Sequence, residues 1–472
     1  MNLFGREITG LTDDNRKIKK GFMFVCIKGS HFDGHSVAEK AISDGAEVIV
    51  CNKDLGLKDK QIIVSDTRIA YGELCAEFFG NPHKKMKFIG VTGTNGKTTE
   101  TSIIKYSLAS CGKKVGLIGT IQNEIGDTVI HTENTTPFCY ELFELLAKMA
   151  EQNCEYVVME VSSFGLEQKR IGPIHFDIAV FTNLTRDHLD EHGSMENYFQ
   201  AKKLLFSICN TAIINIDDEY GKRLYDEINC NKLAFSTKIL TDYYSYDIKL
   251  GANGSEFWYN YLSDNEIKSQ YIKSKLIGMF NISNITACLT VCEYLGFDVF
   301  DAIEKYGGTR GRCEVIPTGK NFTVICDYAH TPDALENVLK SIKEYCLGRI
   351  ICLFGCGGNR DKTKRPIMGA IVSEYADILI VTSDNPRDED AGTIIDDILV
   401  GVTKPYEKII NRRQAIEHSL KIAQKDDIIL LAGKGHEDYQ IFENGRTIHF
   451  NELEIVKEFV VDADSQELKV KS

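Results

Sequence analysis

The segment "KFIGVTGTNGKTTETSIIKYSLASCG" sets an apolar run directly against a glycine-rich turn and then a helical pattern. That order allows few folds. The run reads as a buried strand, the turn as a loop at its end, and the rest as a helix stopped at Gly112. The turn looks like a phosphate-binding loop whose spacing is displaced. In G-x-x-x-x-G-K-[ST], counted back from Gly96, Lys97 and Thr98, the first glycine falls at Val91, whereas the glycines here are Gly90, Gly93 and Gly96. Strand, glycine loop, Lys-Thr-Thr and helix still supply what a phosphate needs. Glycines let backbone N–H groups turn toward its oxygens, and the helix N-terminus adds partial positive charge. Lys97 can reach the β and γ phosphates of a nucleotide, and Thr98 can hold Mg²⁺.

The rest of the chain repeats the alternation of apolar runs and helical patterns, so α/β architecture is expected throughout. Strands are expected at "GFMFVCIKG", "AEVIVCN" and "QIIVSD", with helices at "SVAEKAISDGA" and "IAYGELCAEFFGNP", in a first unit that exits through "NPHKKMK". A second unit opens on the glycine loop. It continues through strands "KVGLIGT", "YVVMEVS", "DIAVFTN" and "TAIINID", an antiparallel extension between Lys238 and Ile277, and the helix "NISNITACLTVCEYLG". A third follows "GTRGRCEVIPTGKN", with strands "FTVICDY", "RIICLFG", "DILIVTSD" and "DIILLAG" and the helix "TPDALENVLKSIKEY". The closing "DADSQELKVKS" reads as a frayed tail. The expected divisions are 1–85, 86–313 and 314–472.

A formal net charge of −13 argues against a nucleic-acid partner, since phosphate-backbone binding rests on clustered Lys and Arg. A local basic pocket for an anionic small molecule remains open. No apolar run approaches the roughly 18 residues that span a bilayer, and the start "MNLFGREITGLTDDNRK" has no secretory h-region. The fifteen cysteines are scattered without a C-x-x-C pair, as expected of reduced core thiols in a cytoplasmic protein. A monomer is expected.

Chemistry gathers where strands end. Glu160 closes "YVVME", at the edge where α/β proteins place ligands, and a carboxylate beside a nucleotide is a natural Mg²⁺ ligand. A helix-capping or surface acid is the competing reading. "NLTRDHLDEHGSMENYFQAKKLLF" packs Asp187, His188, Asp190, His192 and Lys202 into one loop and helix after the strand "DIAVFT".

The set "TGTNGKTT", "EVSSFGLEQKR", "TNLTRDHLDEHG", "DYAHTPDAL", "GCGGNRDKTKRP", "DNPR" and "GKGHE", in this order over nearly the whole chain, resembles the Mur ligases. Within them it is similar to the subgroup that adds the third amino acid to the UDP-N-acetylmuramoyl peptide of peptidoglycan. The displaced glycine is that family's normal loop. The resemblance implies a three-domain fold, with a central P-loop ATPase-like domain and a C-terminal Rossmann-like domain. It implies an enzyme in which ATP phosphorylates a substrate carboxylate and an amine attacks the acyl phosphate.

By the same resemblance Gly93, Thr94, Asn95, Gly96, Lys97, Thr98 and Thr99 hold the ATP phosphates. Asn281 lies near the adenine, Arg312 near the phosphates, and Asp327 binds the ribose. Thr98 and Glu160 serve one Mg²⁺, His188 helps bind a second, and Lys202 matches a lysine carbamylated by CO₂. The UDP-MurNAc-dipeptide acceptor falls to Asn134, Thr135, Thr136, Ser162, Gln168 and Arg170. The incoming amino acid falls to Arg360, Asp384, Asn385, Pro386, Arg387, Gly433 and Glu437. Arg387 marks the relatives that add meso-diaminopimelate, because a guanidinium clamps the distal carboxylate that L-lysine lacks. Three positions depart from the family pattern. Asn15 replaces a small hydroxyl residue, Phe164 a histidine, and Asn359 an aspartate, so a paralogue with another acceptor or amino acid is the alternative. Folylpolyglutamate synthesis fits "DNPR" and "GKGHE" poorly, and a non-catalytic regulator would not need Lys97, Glu160, His188 and Lys202 together.

Overall fold

The computed structural model describes residues 2–3, 5–29, 32–132, 134–252, 254–263 and 265–470, with side chains described at all of these except 2, 3, 190 and 462–470. The chain packs as two compact units. One comprises Met1–Gly93, Ile104–Leu184 and His188–Ala234, the other Thr94–Ile103, Thr185–Asp187 and Phe235–Ser472.

The first unit begins with a four-stranded parallel sheet in the order Gly10–Thr12, Phe22–Val25, Ala46–Cys51, Gln61–Ile63. Helix Thr67–Phe78 starts where the Asp66 carboxylate accepts from the N–H groups of Arg68 and Ile69. It begins two residues before the expected segment, because the cap rather than the apolar pattern sets the boundary. One side of this helix runs against the turn after Gln168. A Cβ on Gly72 would lie 2.6 Å from the Cα of Gly172, so only glycine permits the approach, and Lys169 Nζ pairs with Asp66 Oδ2 at 2.7 Å.

The unit's larger sheet runs Thr128–Ile130, Asn123–Ile125, Val115–Ile118, Tyr156–Glu160, Lys87–Thr92, Phe176–Phe181, Cys209–Asn215, Asn231–Ser236. Lys87–Thr92 pairs in parallel with Tyr156–Glu160 on one side and Phe176–Phe181 on the other. Val91 stands opposite Glu160, and Thr92 opposite Phe181, so three strands end together.

In the second unit Phe235 and Ser236 pair with Tyr243 and Tyr244, and the expected antiparallel extension follows as Tyr243–Gly251, Gly254–Ser263 and Glu266–Ser274. Helix Met279–Tyr294 packs on it, with Ser245 Oγ 2.7 Å from Thr286 Oγ1. A six-stranded sheet then runs Glu314–Ile316, Thr323–Asp327, Ile428–Ala432, Ile350–Phe354, Ile378–Val381, Tyr406–Lys408. All pairs but the first are parallel. Along Ile350–Phe354 the side chains alternate between two cores. Ile350, Cys352 and Phe354 pack with Leu335, Met368 and Ile395, whereas Ile351 and Leu353 pack with Ile416, Leu420 and Val456. A strand covered on both faces is apolar at every position, which is why these strands read as unbroken runs. The closing helix spans Glu452–Val470 and continues through most of the segment expected to fray. That segment holds no Gly or Pro to stop it. Its last two residues lie outside those described.

Two fully buried arginines brace the six-stranded sheet. Arg412 pairs with Glu452 at 2.8 Å, both side chains without exposure. Arg365 pairs with Glu389 at 3.0 Å and Asp397 at 2.8 Å. Its guanidinium holds the Glu389 carboxyl down at about 2. A depressed carboxyl stabilises the fold above the ordinary carboxylate range and loses that contribution as pH falls through its folded value. Glu389→Gln is therefore expected to lower the melting temperature by about 3–6 °C at pH 7. The gap to the parent should narrow as melts are repeated toward pH 3. An equal gap at both pH values would sever the ion pair from stability.

Candidate active site

In the first unit the chain leaves strand Lys87–Thr92 at Gly93, whose φ is +154°. A Cβ there would fall 1.9 Å from Thr182 Oγ1, so the loop lies against the neighbouring strand end with no room for a side chain. The Gly93 carbonyl accepts from Lys202 Nζ at 2.8 Å. Lys202, on helix Met195–Lys203, is buried with its ammonium 4.6 Å from the centre of the Tyr198 ring.

Glu160 is fixed at both oxygens. Oε1 accepts from Thr120 N at 2.8 Å and Oε2 from Thr120 Oγ1 at 2.9 Å, and Thr120 Oγ1 lies 3.0 Å from Thr135 Oγ1. The capping or surface alternative for Glu160 does not apply, because the side chain is buried at a strand end. Thr136 Oγ1 donates to the Glu160 carbonyl and accepts from Ser162 N, both at 3.0 Å. Ser162 caps the short helix Ser163–Glu167 through Gly165 N. Arg170 Nη1 donates to Thr136 O at 3.0 Å, and its Nε and Nη2 clasp Gln168 Oε1 at 3.0 and 2.8 Å. Its guanidinium lies 3.9 Å over Phe138. Thr135, Thr136, Ser162, Gln168 and Arg170 thus form one hydrogen-bonded cluster with Glu160. Asn134 meets it through the chain and accepts at its carbonyl from Thr132 Oγ1 at 2.9 Å.

The two histidines of "DHLDEH" separate. His188 takes a left-handed φ of +52° and is half exposed, 3.6 Å from Glu191. His192 is buried between Phe164 and Tyr198, with ring centroids at 4.9 and 4.8 Å, and its Nε2 lies 2.9 Å from Ser163 Oγ. Burial lowers its pKa, so it stays neutral. The aromatic ring at 164 is thereby accounted for, as the lid of this stack. The Asp190 side chain lies outside the described residues.

In the second unit the loop folds on itself and on its neighbours. Lys97 Nζ donates to Thr94 O at 2.9 Å. Thr94 Oγ1 accepts from Thr185 N at 3.0 Å. Asn95 Nδ2 and Thr185 Oγ1 both donate to Asp333 Oδ2, at 2.9 and 2.8 Å. Gly96 has φ +89°, and its missing Cβ would stand 2.7 Å from Asn284 Oδ1. Thr98 Oγ1 accepts a long 3.4 Å bond from Arg312 Nη2, and Thr99 is buried. Arg312 stacks on Tyr328 at 4.9 Å, while its Nε is buried without a hydrogen-bond partner. Asp327, closing its strand, accepts from Cys313 N at 2.7 Å. Burial raises its pKa and Arg312 opposes the shift. Asn281, in the first turn of its helix, donates to Ile277 O just before the helix at 2.9 Å and accepts from Asn284 Nδ2 at 3.3 Å.

Two loops of the six-stranded sheet meet at the remaining residues. After Ile378–Val381 come Asp384, Asn385, Pro386 and Arg387, the last at φ +53° with Nη1 donating to Gly358 O at 2.9 Å. After Ile428–Ala432 come Gly433, at φ +113°, and Glu437. Asn385 Nδ2 donates to Glu437 Oε2 at 2.9 Å. Arg360 donates to Asn359 O at 3.1 Å on the surface. Asn359 has φ +54°, a conformation asparagine tolerates, and its amide donates to Asp388 at 3.0 Å. Thr120, Thr185, Asp333 and Lys434 are contacts that sequence reasoning missed. The available signal was position, since each follows a strand or opens a helix. A cavity of about 460 Å³ beside Tyr261, Glu293 and Phe300 contains none of these residues.

A glycine loop leading from the middle of a parallel sheet into a helix, with a strand-end carboxylate one strand away, defines a P-loop α/β protein. The comparisons narrow the class. Residues 7–79 match the Mur ligase family catalytic domain, 91–292 the Mur ligase middle domain, and 311–435 the Mur ligase glutamate ligase domain. The UDP-N-acetylmuramoyl-L-alanyl-D-glutamate–2,6-diaminopimelate ligase 1 of Clostridium acetobutylicum is 45% identical over 462 residues, 96% of this chain and 95% of that protein. A solved structure of a UDP-N-acetylmuramoyl-L-alanyl-D-glutamate–2,6-diaminopimelate ligase superposes with a TM-score of 0.73 at 33% identity, covering 97% of this chain and 95% of the other. The MurF ligase of Thermotoga maritima in complex with ADP shares the fold, with a TM-score of 0.59 at 19% identity over 98% of each chain. The chain belongs to the Mur ligase family, whose three-domain α/β fold it has.

The geometry ranks the two histidines. His192→Ala opens a void in an aromatic stack and is expected to cost about 5–10 °C in melting temperature. His188→Ala, at a half-exposed position, should stay within about 2 °C. Equal losses in thermal melts would contradict the separation of the pair.

Proposed function

We propose that this enzyme is a cytoplasmic, ATP-dependent amide ligase that adds meso-diaminopimelate to UDP-N-acetylmuramoyl-L-alanyl-D-glutamate in peptidoglycan synthesis. It works through an acyl phosphate. One observation carries the choice of amino acid. Arg387 and Glu437 are held on meeting loops, the first by Gly358 O and the second by Asn385, so a fixed cation and a fixed anion face the incoming molecule. The distal end of diaminopimelate bears a carboxylate for the guanidinium, and its ammonium groups suit the carboxylate. Full-length similarity to diaminopimelate ligases supports the same reading.

The sequence divides for this purpose at 1–85, 86–313 and 314–472. All fifteen cysteines are free thiols, in keeping with a reducing compartment, and among the described residues no helix is long and apolar enough to cross a membrane. The working form is a monomer acting on small molecules.

A carboxylate must become a good leaving group before an amine can displace it. Residues 93–99 present N–H groups and Lys97 to the ATP phosphates, with Arg312 near them, while Asn281 and Asp327 hold the adenine and the ribose. The γ-phosphoryl group passes to the D-glutamate carboxylate of the acceptor, releasing ADP. The amine of diaminopimelate then attacks the acyl carbon, and the tetrahedral adduct collapses to amide and phosphate. Arg170, already clasped by Gln168, is placed for an anionic group of the acceptor, and Asn134, Thr135, Thr136 and Ser162 line the same cluster. Arg360, Asp384 and Pro386 with Gly433 complete the amino-acid loops. The donor chemistry fits Mg²⁺, since the Thr98 hydroxyl and the Glu160 carboxylate are hard oxygen ligands, with His188 assigned to a second ion and the Lys202 carbamate to the support of the metal site. When bound, Mg²⁺ neutralises phosphate oxygens so that two anions can meet. Lys202 fits carbamylation, because a carbamate nitrogen keeps one N–H for the Gly93 carbonyl and adds an anionic group.

The test is phosphate release with ATP, Mg²⁺ and the UDP-MurNAc-dipeptide, offering meso-diaminopimelate and L-lysine separately. Turnover with diaminopimelate alone is expected, and preference for lysine would overturn the reading of Arg387. Arg387→Ala should cut kcat/KM for diaminopimelate on the order of 100-fold while leaving ATP binding intact. Lys202→Ala should be inactive, with partial rescue by a short added carboxylate. Full activity without rescue would refute the carbamate.

A further inference from the structure

Lys434 stands between the two amino-acid loops and has no part in the reading above. It is fully buried, and its three N–H bonds meet acceptors from both loops. Nζ lies 2.9 Å from Glu437 Oε2, 3.0 Å from Asn385 Oδ1 and 3.4 Å from Asp384 Oδ1. The turn is built for this inward lysine. Gly433 and Gly435 on either side take φ +113° and +53°, and a Cβ on Gly435 would meet Gly311 O at 2.7 Å.

The contacts fix two orientations at once. The Asn385 oxygen accepts from Lys434 Nζ and from Ile441 N, each at 3.0 Å, so the amide turns its nitrogen to Glu437, at 2.9 Å. Glu437 Oε2 thus receives two donors. One ammonium against two carboxylates also leaves a net charge of about −1 in the cluster. The loop backbones have a separate anchor. Arg412 donates to Ala432 O at 2.8 Å and Ser383 O at 3.3 Å, so both loops leave the sheet correctly whatever occupies position 434.

We propose that Lys434 is a positioning residue for the incoming amino acid, aligning Glu437 and Asn385 and cancelling one of the two carboxylate charges. A single negative charge then takes the substrate ammonium without repelling the substrate carboxylate. This rests on the role given above to Glu437.

The experiment is a double-mutant cycle on the full-length enzyme, read by phosphate release. Lys434→Met is expected to raise KM for diaminopimelate about 30-fold, with KM for ATP and kcat within about threefold. Glu437→Gln should give a rise of similar size. The double variant should exceed Glu437→Gln by no more than about twofold, because Lys434 acts through that carboxylate. Lys434→Arg, which keeps the charge, should recover most of the loss. Effects that multiply, or KM values for ATP and diaminopimelate that rise together, would make Lys434 merely structural and overturn the inference. If Lys434→Met does not fold, Lys434→Gln, which also removes the charge, takes its place in the same cycle and decides by the same criterion. Parent enzyme that turns over diaminopimelate while the effects multiply defeats this inference alone. Parent enzyme silent with diaminopimelate defeats the assigned reaction and this inference with it.

Discussion

Strands covered on both faces leave this chain nowhere to be polar except where they end. Lys87–Thr92 lies between two parallel neighbours, and Ile350–Phe354 alternates its side chains between two separate cores. Every polar group along such a strand would be buried without water, so functional groups collect at the carboxyl ends. Gly93, Glu160, Thr182, Asp327 and Gly433 each close or directly follow a strand. The glycines do a second job there. Each removes a side chain at a point where the backbone must turn sharply or lie against a neighbour, and the Gly93 position admits no Cβ beside Thr182.

Once chemistry is confined to strand ends, the remaining problem is to hold flexible side chains still. The two units solve it differently. Around Glu160 the fixing groups are the neutral N–H and hydroxyl of Thr120, which orient the carboxylate without cancelling its charge, while Thr136 holds the Glu160 backbone carbonyl. In the amino-acid loops the fixing groups are buried cations, Arg412 on the backbone and Lys434 on the side chains. A buried cation both orients and neutralises the groups it holds.

Much of this was legible in the sequence, and the reason is the same covering of both faces. Unbroken apolar runs marked the strands, so the α/β class, the antiparallel extension and the helices after the loops all emerged where expected. Elements bounded by caps were less legible, as with helix Thr67–Phe78, where Asp66 rather than a change in hydrophobicity sets the start. The closing helix was missed because a polar segment without glycine or proline carries no stop signal. Among the expected site residues, the motifs supplied Asn95, Glu160 and Glu437, but the groups that hold them escaped. Thr120, Asp333 and Lys434 act by touching a residue far away in sequence, and spacing along the chain holds no trace of such a pairing.

The departures from the family pattern show how local context changes the weight of a substitution. At 164 the histidine usual in the family gives way to phenylalanine, and the ring stacks on neutral, buried His192 at 4.9 Å, a contact that needs an aromatic face and no charge. At 359 an asparagine replaces aspartate where φ is +54°, and its amide donates to Asp388. An aspartate there would set two carboxylates against each other, so the amide relieves a repulsion that this chain's own residue at 388 would create. Both exchanges are explained by neighbours that the fold brings close from elsewhere in the sequence, His192 for one and Asp388 for the other.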